Sequence, residues 1–211
     1  MILDHHKICE LASRYRPAIL EPTVSAFTSW IFDLSHEYIP SSKRDMFLYE
    51  RRQGEEFEKG LLQIARERAA DISDQFATLE YRDPLDGTGD AFAMSRLKIG
   101  NSPLRGGPDI VYKHIESRKI IIVENKCSTA IPRKWPNLKI QLWCYGQIDR
   151  WLDAPDVILI GRVYNPRHRE AGGNPKDIAT WYRKDKNFDS ECWELFEIFR
   201  SWLLKQVKRP T

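Results

Sequence analysis

The run Ile120-Ile121-Ile122-Val123, followed at once by Glu124-Asn125-Lys126, most constrains what this chain can fold into. Four consecutive β-branched residues favour an extended strand. Apolar side chains on both faces place that strand inside a sheet. Its end carries a carboxylate and an ammonium where charge is costly unless compensated. Upstream lies Gly106-Gly107-Pro108-Asp109-Ile110-Val111-Tyr112, a second apolar stretch opened by another carboxylate. A hard divalent cation is one way to compensate such a pair, and one that serves phosphate chemistry.

Residues 110–115 and 119–127 read as a hairpin around Glu116 to Arg118. With the turn centred on Ser117-Arg118, Asp109 faces Lys126 and Val111 faces Glu124. Side chains alternate along a strand, so Glu124 and Lys126 share a face. Opposed residues share a face too, which brings Asp109 to the same side. Asp109 and Glu124 can then supply oxygen ligands to Mg²⁺ or Mn²⁺, with the Asn125 backbone carbonyl as a further ligand. Lys126 can hold the attacking water or stabilise charge developing on a phosphate.

The rest of the chain predicts alternating helices and strands. Thr23 to Tyr38 reads as a helix that stops before Pro40. Ser41-Ser42 caps a second helix running to about Ala70, with Phe57, Leu61, Ile64 and Ala65 as its apolar stripe. Short strands follow at Leu79 to Arg82 and Ala91 to Ile99. Pro136-Asn137 opens an amphipathic helix to about Trp151. Val157 to Tyr164 is a strand, Thr180 to Arg183 an edge strand, and Asp189 to Val207 a final helix. This order predicts an α/β fold with a central mixed sheet flanked by helices. A length of 211 residues fits one domain, 1–211. The longest aliphatic runs are too short to span a bilayer, and the first residues lack the apolar core of a signal peptide. A cytoplasmic protein without membrane contact is expected. With 33 basic and 30 acidic residues, net charge alone does not mark a nucleic-acid partner.

Pro108-Asp109 followed by Glu124-x-Lys126 resembles the signature of the PD-(D/E)xK nuclease superfamily. Gly54-Glu55-Glu56-Phe57-Glu58 resembles the GxxFE of that superfamily's first core helix. Gln141-Leu142-Trp143-Cys144-Tyr145 resembles the QxxxY motif of its RecB-like and Cas4-like branch. The resemblance covers about residues 45–165. It implies a restriction-endonuclease-like core and a Mg²⁺- or Mn²⁺-dependent deoxyribonuclease, including a RecB/Cas4-like exonuclease. Asp109 and Glu124 would ligate metal, Glu58 would complete the shell directly or through water, and Lys126 would orient water or stabilise charge. Gln141 would hydrogen-bond to the metal site or the scissile phosphate, with Tyr145 one turn along the same helix face. Cas4-like enzymes carry a four-cysteine iron–sulfur cluster. The grouped C-terminal cysteines are missing here, so no cluster is expected. Cys9, Cys127, Cys144 and Cys192 are expected as reduced thiols packed in the fold.

DNA is the expected partner, single- or double-stranded. Trp135, beside Arg133-Lys134, is the best stacking candidate, and Arg51, Arg52 and Lys139 are candidates for backbone phosphates. Trp143, Trp151, Trp193 and Trp202 sit at core-like helical positions. No P-loop accompanies the motif, so the chain reads as a stand-alone nuclease or one subunit of a DNA-processing complex, and it is compatible with a homo-oligomer. The same core serves restriction-type endonucleases and junction resolvases. A non-catalytic DNA-binding or assembly subunit is the alternative of another class; the complete Asp109, Glu124 and Lys126 set argues against it.

Overall fold

A computed structural model describes Cys9, Glu10, Ala12 and residues 21–36, 77–84, 89–127, 135–164 and 176–207. The helix expected from Ser41 to about Ala70, with Glu58, lies outside these residues, as do Arg51, Arg52, Arg133 and Lys134. The described strands are β1 (Ala77–Arg82), β2 (Phe92–Ile99), β3 (Ser102–Gly106), β4 (Ile110–His114), β5 (Ile120–Cys127), β6 (Val157–Tyr164) and β7 (Lys176–Tyr182). The described helices are α1 (Val24–His36), α2 (Pro136–Tyr145) and α3 (Lys186–Val207).

Five strands form one mixed sheet in the order β1-β4-β5-β6-β7. β5 is parallel to β6, and the other neighbours are antiparallel. The aliphatic run Ile120 to Val123 therefore occupies the middle strand, with Ile122 and Val123 buried on opposite faces. β2 and β3 form a separate hairpin. Sequence patterning accounts for β2 alone, because Pro103 speaks against a second strand. A register break between Met94 and Lys98 accommodates it. Gly100, at φ 62°, closes the two-residue turn between Ile99 and Ser102 in the left-handed region that favours glycine.

Parallel neighbours need a crossover, and α2 supplies it between β5 and β6. Gly161 lets α2 ride close to the sheet: a Cβ there would lie 2.9 Å from Leu138 Cδ2 and 3.4 Å from Leu142 Cδ1. Gly146 sits over Leu159. Thus α2 runs antiparallel to β6, and its N-terminal half overlies the C-terminal ends of β5 and β6. The helix ends at Tyr145 rather than near Trp151. A turn at Gly146-Gln147 and a 3-10 segment at Asp149–Trp151 follow. Gln147 is buried and reaches Asp189 Oδ1 and Arg96 Nη1, each at 3.5 Å, which a continued helix would not serve.

α1 and α3 close the same layer. Thr23 Oγ1 accepts the N–H of Ala26 and caps α1. Asp185 Oδ1 accepts the N–H groups of Asn187 and Phe188 and caps α3. Phe27 stacks on Phe199 at 4.7 Å, and Trp30 lies 5.8 Å from Trp202. Each such ring removes about 150–250 Å² from water, a gross burial of about 4–6 kcal/mol. Trp143, Trp151 and Trp202 are buried in this core, and Trp193 packs against it. Cys144 and Cys192 are buried free thiols, whereas Cys9 is exposed rather than packed in the fold as expected. Among the described residues no helix is long and apolar enough to cross a membrane.

Candidate active site

The β4–β5 turn sets the site's geometry. Ile110 pairs with Val123 and Val111 with Ile122. This register differs by two residues from the one expected with Asp109 facing Lys126. The four residues Ile115 to Arg118 form the loop, closed by His114 N–H donating to Lys119 O at 2.9 Å. Arg118, at φ 53°, takes the left-handed turn position. Continuing the pairing by one step puts Asp109 level with Glu124. Because strand side chains alternate with period two, the two-residue shift leaves Asp109, Glu124 and Lys126 on one face.

That face lies under α2. Glu124 is 3% exposed. Its Oε1 accepts from Lys126 Nζ at 2.8 Å and from Gln141 Nε2 at 2.7 Å. A buried carboxylate is tolerated when donors of this kind compensate lost hydration. Gln141 Nε2 also donates to Tyr145 Oη at 3.0 Å, so one amide bridges strand and helix. Asp109 Oδ2 accepts the backbone N–H of Asn125 at 2.7 Å, which ties it to the residue after Glu124. Burial pushes the Tyr145 hydroxyl well above its ordinary pKa, the negative charge of Glu124 adds to this, and Asp109 acts in the same direction more weakly. Tyr145 is therefore neutral and lies within electrostatic reach of both carboxylates.

The chain before Asp109 is shaped for close approach. A Cβ on Gly106 would lie 2.9 Å from Val24 Cγ2 and 3.5 Å from Tyr145 Cε1. A Cβ on Gly107 would lie 2.6 Å from the backbone oxygen of Asp90. Only glycine fits both contacts, and together they lead Pro108, itself buried, and Asp109 under the N-terminus of α1 and toward α2. Asp109 O in turn accepts the N–H of Asp83 at 2.9 Å, tying the site to the end of β1.

Two carboxylates and the Asn125 carbonyl form an all-oxygen donor set, the chemistry that Mg²⁺ and Mn²⁺ accept. Among the described residues no three histidine, cysteine, aspartate or glutamate side chains gather into a metal-binding group. The third carboxylate expected, Glu58, is outside those residues. The other expected DNA contacts differ in setting. Trp135 occupies the N-cap position of α2 and packs partly buried against the core. Lys139 turns to α3, where Nζ lies 2.9 Å from Glu191 Oε2 and 5.3 Å from the Phe188 ring. Asn137 was not singled out from sequence. It lies one turn before Gln141, and the four-residue spacing Asn137-Gln141-Tyr145 is the signal that marks it.

No protein-family model matches the chain, and none of the curated proteins matches it. Among solved structures it is similar to one described as "Crystal structure of SSO0001". That similarity covers 98% of this chain and 93% of the other, at 14% identity and a TM-score of 0.43.

Proposed function

We propose that the chain is a Mg²⁺- or Mn²⁺-dependent deoxyribonuclease of the PD-(D/E)xK kind, with a restriction-endonuclease-like core and a RecB-like or Cas4-like QxxxY helix. The observation that carries this reading is the buried Glu124 carboxylate held by both Lys126 and Gln141, with Asp109 fixed beside it through Asn125. An ordinary surface ion pair needs neither burial nor a second strap from a helix.

Asp109, Glu124 and the Asn125 carbonyl are the residues that would hold the metal, with Glu58 as the further ligand that the motif implies. The bound cation would polarise the phosphate and acidify a water at neutral pH. Lys126, its ammonium fixed 2.8 Å from Glu124, is the donor that orients the attacking water and meets charge developing on phosphate oxygens. Gln141 holds the Glu124 carboxylate in one orientation, and Tyr145 keeps the Gln141 amide in place. DNA is the substrate this reading names, attacked by the chain alone or within a DNA-processing complex.

The test is cleavage of labelled single strands, duplexes and circles with Mg²⁺ and with Mn²⁺. Wild type is expected to cut, and folded Asp109→Ala, Glu124→Ala and Lys126→Ala variants are expected to be inactive. Variants that cut as well as wild type would sink the assignment. Failure of the wild type to bind Mn²⁺ by calorimetry, with DNA binding retained, would favour a non-catalytic DNA-binding subunit.

A further inference from the structure

We infer that Asn137 is a substrate-positioning residue that holds a backbone phosphate of the nucleic acid at the mouth of the site; this rests on the nuclease reading above. Three observations carry it. First, Asn137, Gln141 and Tyr145 recur at helical spacing and form one polar stripe on α2. Gln141 and Tyr145 on that stripe are bonded to each other, and Gln141 to Glu124.

Second, α2 runs antiparallel to β5 and β6, as the Leu138–Gly161 and Gly146–Leu159 contacts show. One helical turn from Gln141 toward the N-terminus is about 5.4 Å. The step from Glu124 to Lys126 along β5 is about 6.6 Å. Asn137 therefore stands level with Lys126, one step farther toward the C-terminal ends of the strands than the Gln141–Glu124 contact.

Third, Asn137 Oδ1 is buried, and the described residues leave it without a hydrogen-bond partner. Among those residues the side-chain amides with buried unpaired atoms belong to Asn125 and Asn137. The Asn125 side chain, one residue on from Glu124, turns to the other face of the sheet, which leaves Asn137 Oδ1 as the one on the α2 side. A buried polar atom left unpaired is costly, so such atoms call for an explanation beyond folding. Sites where local satisfaction is given up are characteristically sites of function. Asn137 is half-buried and its Nδ2 is not among the buried unpaired atoms, so the amide can donate Nδ2–H to a phosphate oxygen while adding no negative charge beside the carboxylate pair. A neutral donor there adds to the Lys126 ammonium, one of whose three N–H groups is taken by Glu124.

Steady-state cleavage of a labelled oligonucleotide by wild type, Asn137→Ala and Asn137→Asp tests this, alongside thermal unfolding of each. Asn137→Ala should raise KM about tenfold, the loss of one charge-assisted hydrogen bond, with kcat nearly unchanged. Asn137→Asp should raise it further, because a carboxylate repels phosphate. The melting temperature of Asn137→Ala should stay level or rise, since Asn137 Oδ1 has no hydrogen-bond partner among the described residues to lose. Wild-type KM in Asn137→Ala, or a lowered melting temperature that accounts for the whole loss, overturns the inference and leaves the nuclease reading standing. A wild type that neither cleaves nor binds DNA removes both.

Discussion

Gln141 reaches from α2 to the sheet and donates to Glu124, 2.7 Å from Nε2 to Oε1, across the crossover that makes β5 and β6 parallel neighbours. The contact fixes a buried carboxylate by a neutral donor and leaves its charge intact. Removing that donor in Gln141→Ala should cost about 1–3 kcal/mol of stability and about 10–100-fold in metal affinity or cleavage. Gln141→Glu should be worse near neutral pH and partly recover at lower pH, because two facing carboxylates favour the uptake of a proton. Calorimetric Mn²⁺ titration with denaturant unfolding checks both. Wild-type affinity in Gln141→Ala would show that Glu124 needs no orientation from α2.

The glycines before and behind the site make a second prediction. A Cβ at Gly107 meets the Asp90 backbone oxygen at 2.6 Å, and backbone cannot step aside. A Cβ at Gly161 meets the Leu138 side-chain tip at 2.9 Å, which can rotate. Gly107→Ala should therefore destabilise by about 1–3 kcal/mol and depress cleavage through displacement of Asp109. Gly161→Ala should cost less on both counts. Urea unfolding and initial cleavage rates on the two variants compare them, and the reverse order would refute this account of the approach to Asp109.

Much of the site is legible in the sequence because its parts are local. The aliphatic run before Glu124 marks a central strand, and the i, i+4 spacing of Gln141 and Tyr145 marks a helix face. The register of β4 on β5 is not legible, because it depends on Arg118 adopting a left-handed turn conformation with no glycine or asparagine to announce it. The error is harmless to the face assignment, since a shift of two preserves alternation where a shift of one would have sent Glu124 to the opposite side. β3 is hidden for a related reason: Pro103 argues against a strand, and only the break in β2 pairing makes room for it. The end of α2 depends on tertiary partners of Gln147 contributed by Arg96 and Asp189, which no local pattern encodes.

Alkaline pH should weaken the fold through three buried acids. Burial raises the Cys144 and Cys192 thiols above their ordinary value of 9.0 and the Tyr145 hydroxyl above its ordinary 10.0. In each case the folded chain keeps a proton that the unfolded chain releases. The stabilisation is therefore complete below the ordinary values and is lost progressively as pH rises above them. Unfolding free energy should be flat from about pH 7 to 8 and fall beyond about pH 9. Tyr145→Phe should remove the part that begins near 10, and Cys192→Ala part of the earlier fall. Urea titrations at stepped pH measure this. An unchanged slope in Tyr145→Phe would contradict the assignment of that part to Tyr145.

Arg183 separates stability from chemistry. Its guanidinium donates to the backbone oxygens of Trp151, Leu152 and Ala154 at 3.1, 3.2 and 2.8 Å, latching the segment after α2 to the turn after β7. Neighbouring bonds, Ile120 N–H to Asp156 O and Arg183 N–H to Val157 O, place this latch at the N-terminal ends of β5 and β6. Glu124 is four residues away along β5, about 13 Å. Charge-assisted bonds of this kind make Arg183→Ala a loss of about 2 kcal/mol, or about 4–8 °C in melting temperature for a chain of this size. Sites so separated act independently, so well below the melting point kcat/KM should stay within about twofold of wild type. Cleavage assays run beside circular dichroism at the same temperatures make the comparison. Loss of cleavage while the ellipticity remains native would mean that the two ends of the sheet are coupled and that the latch positions the carboxylates.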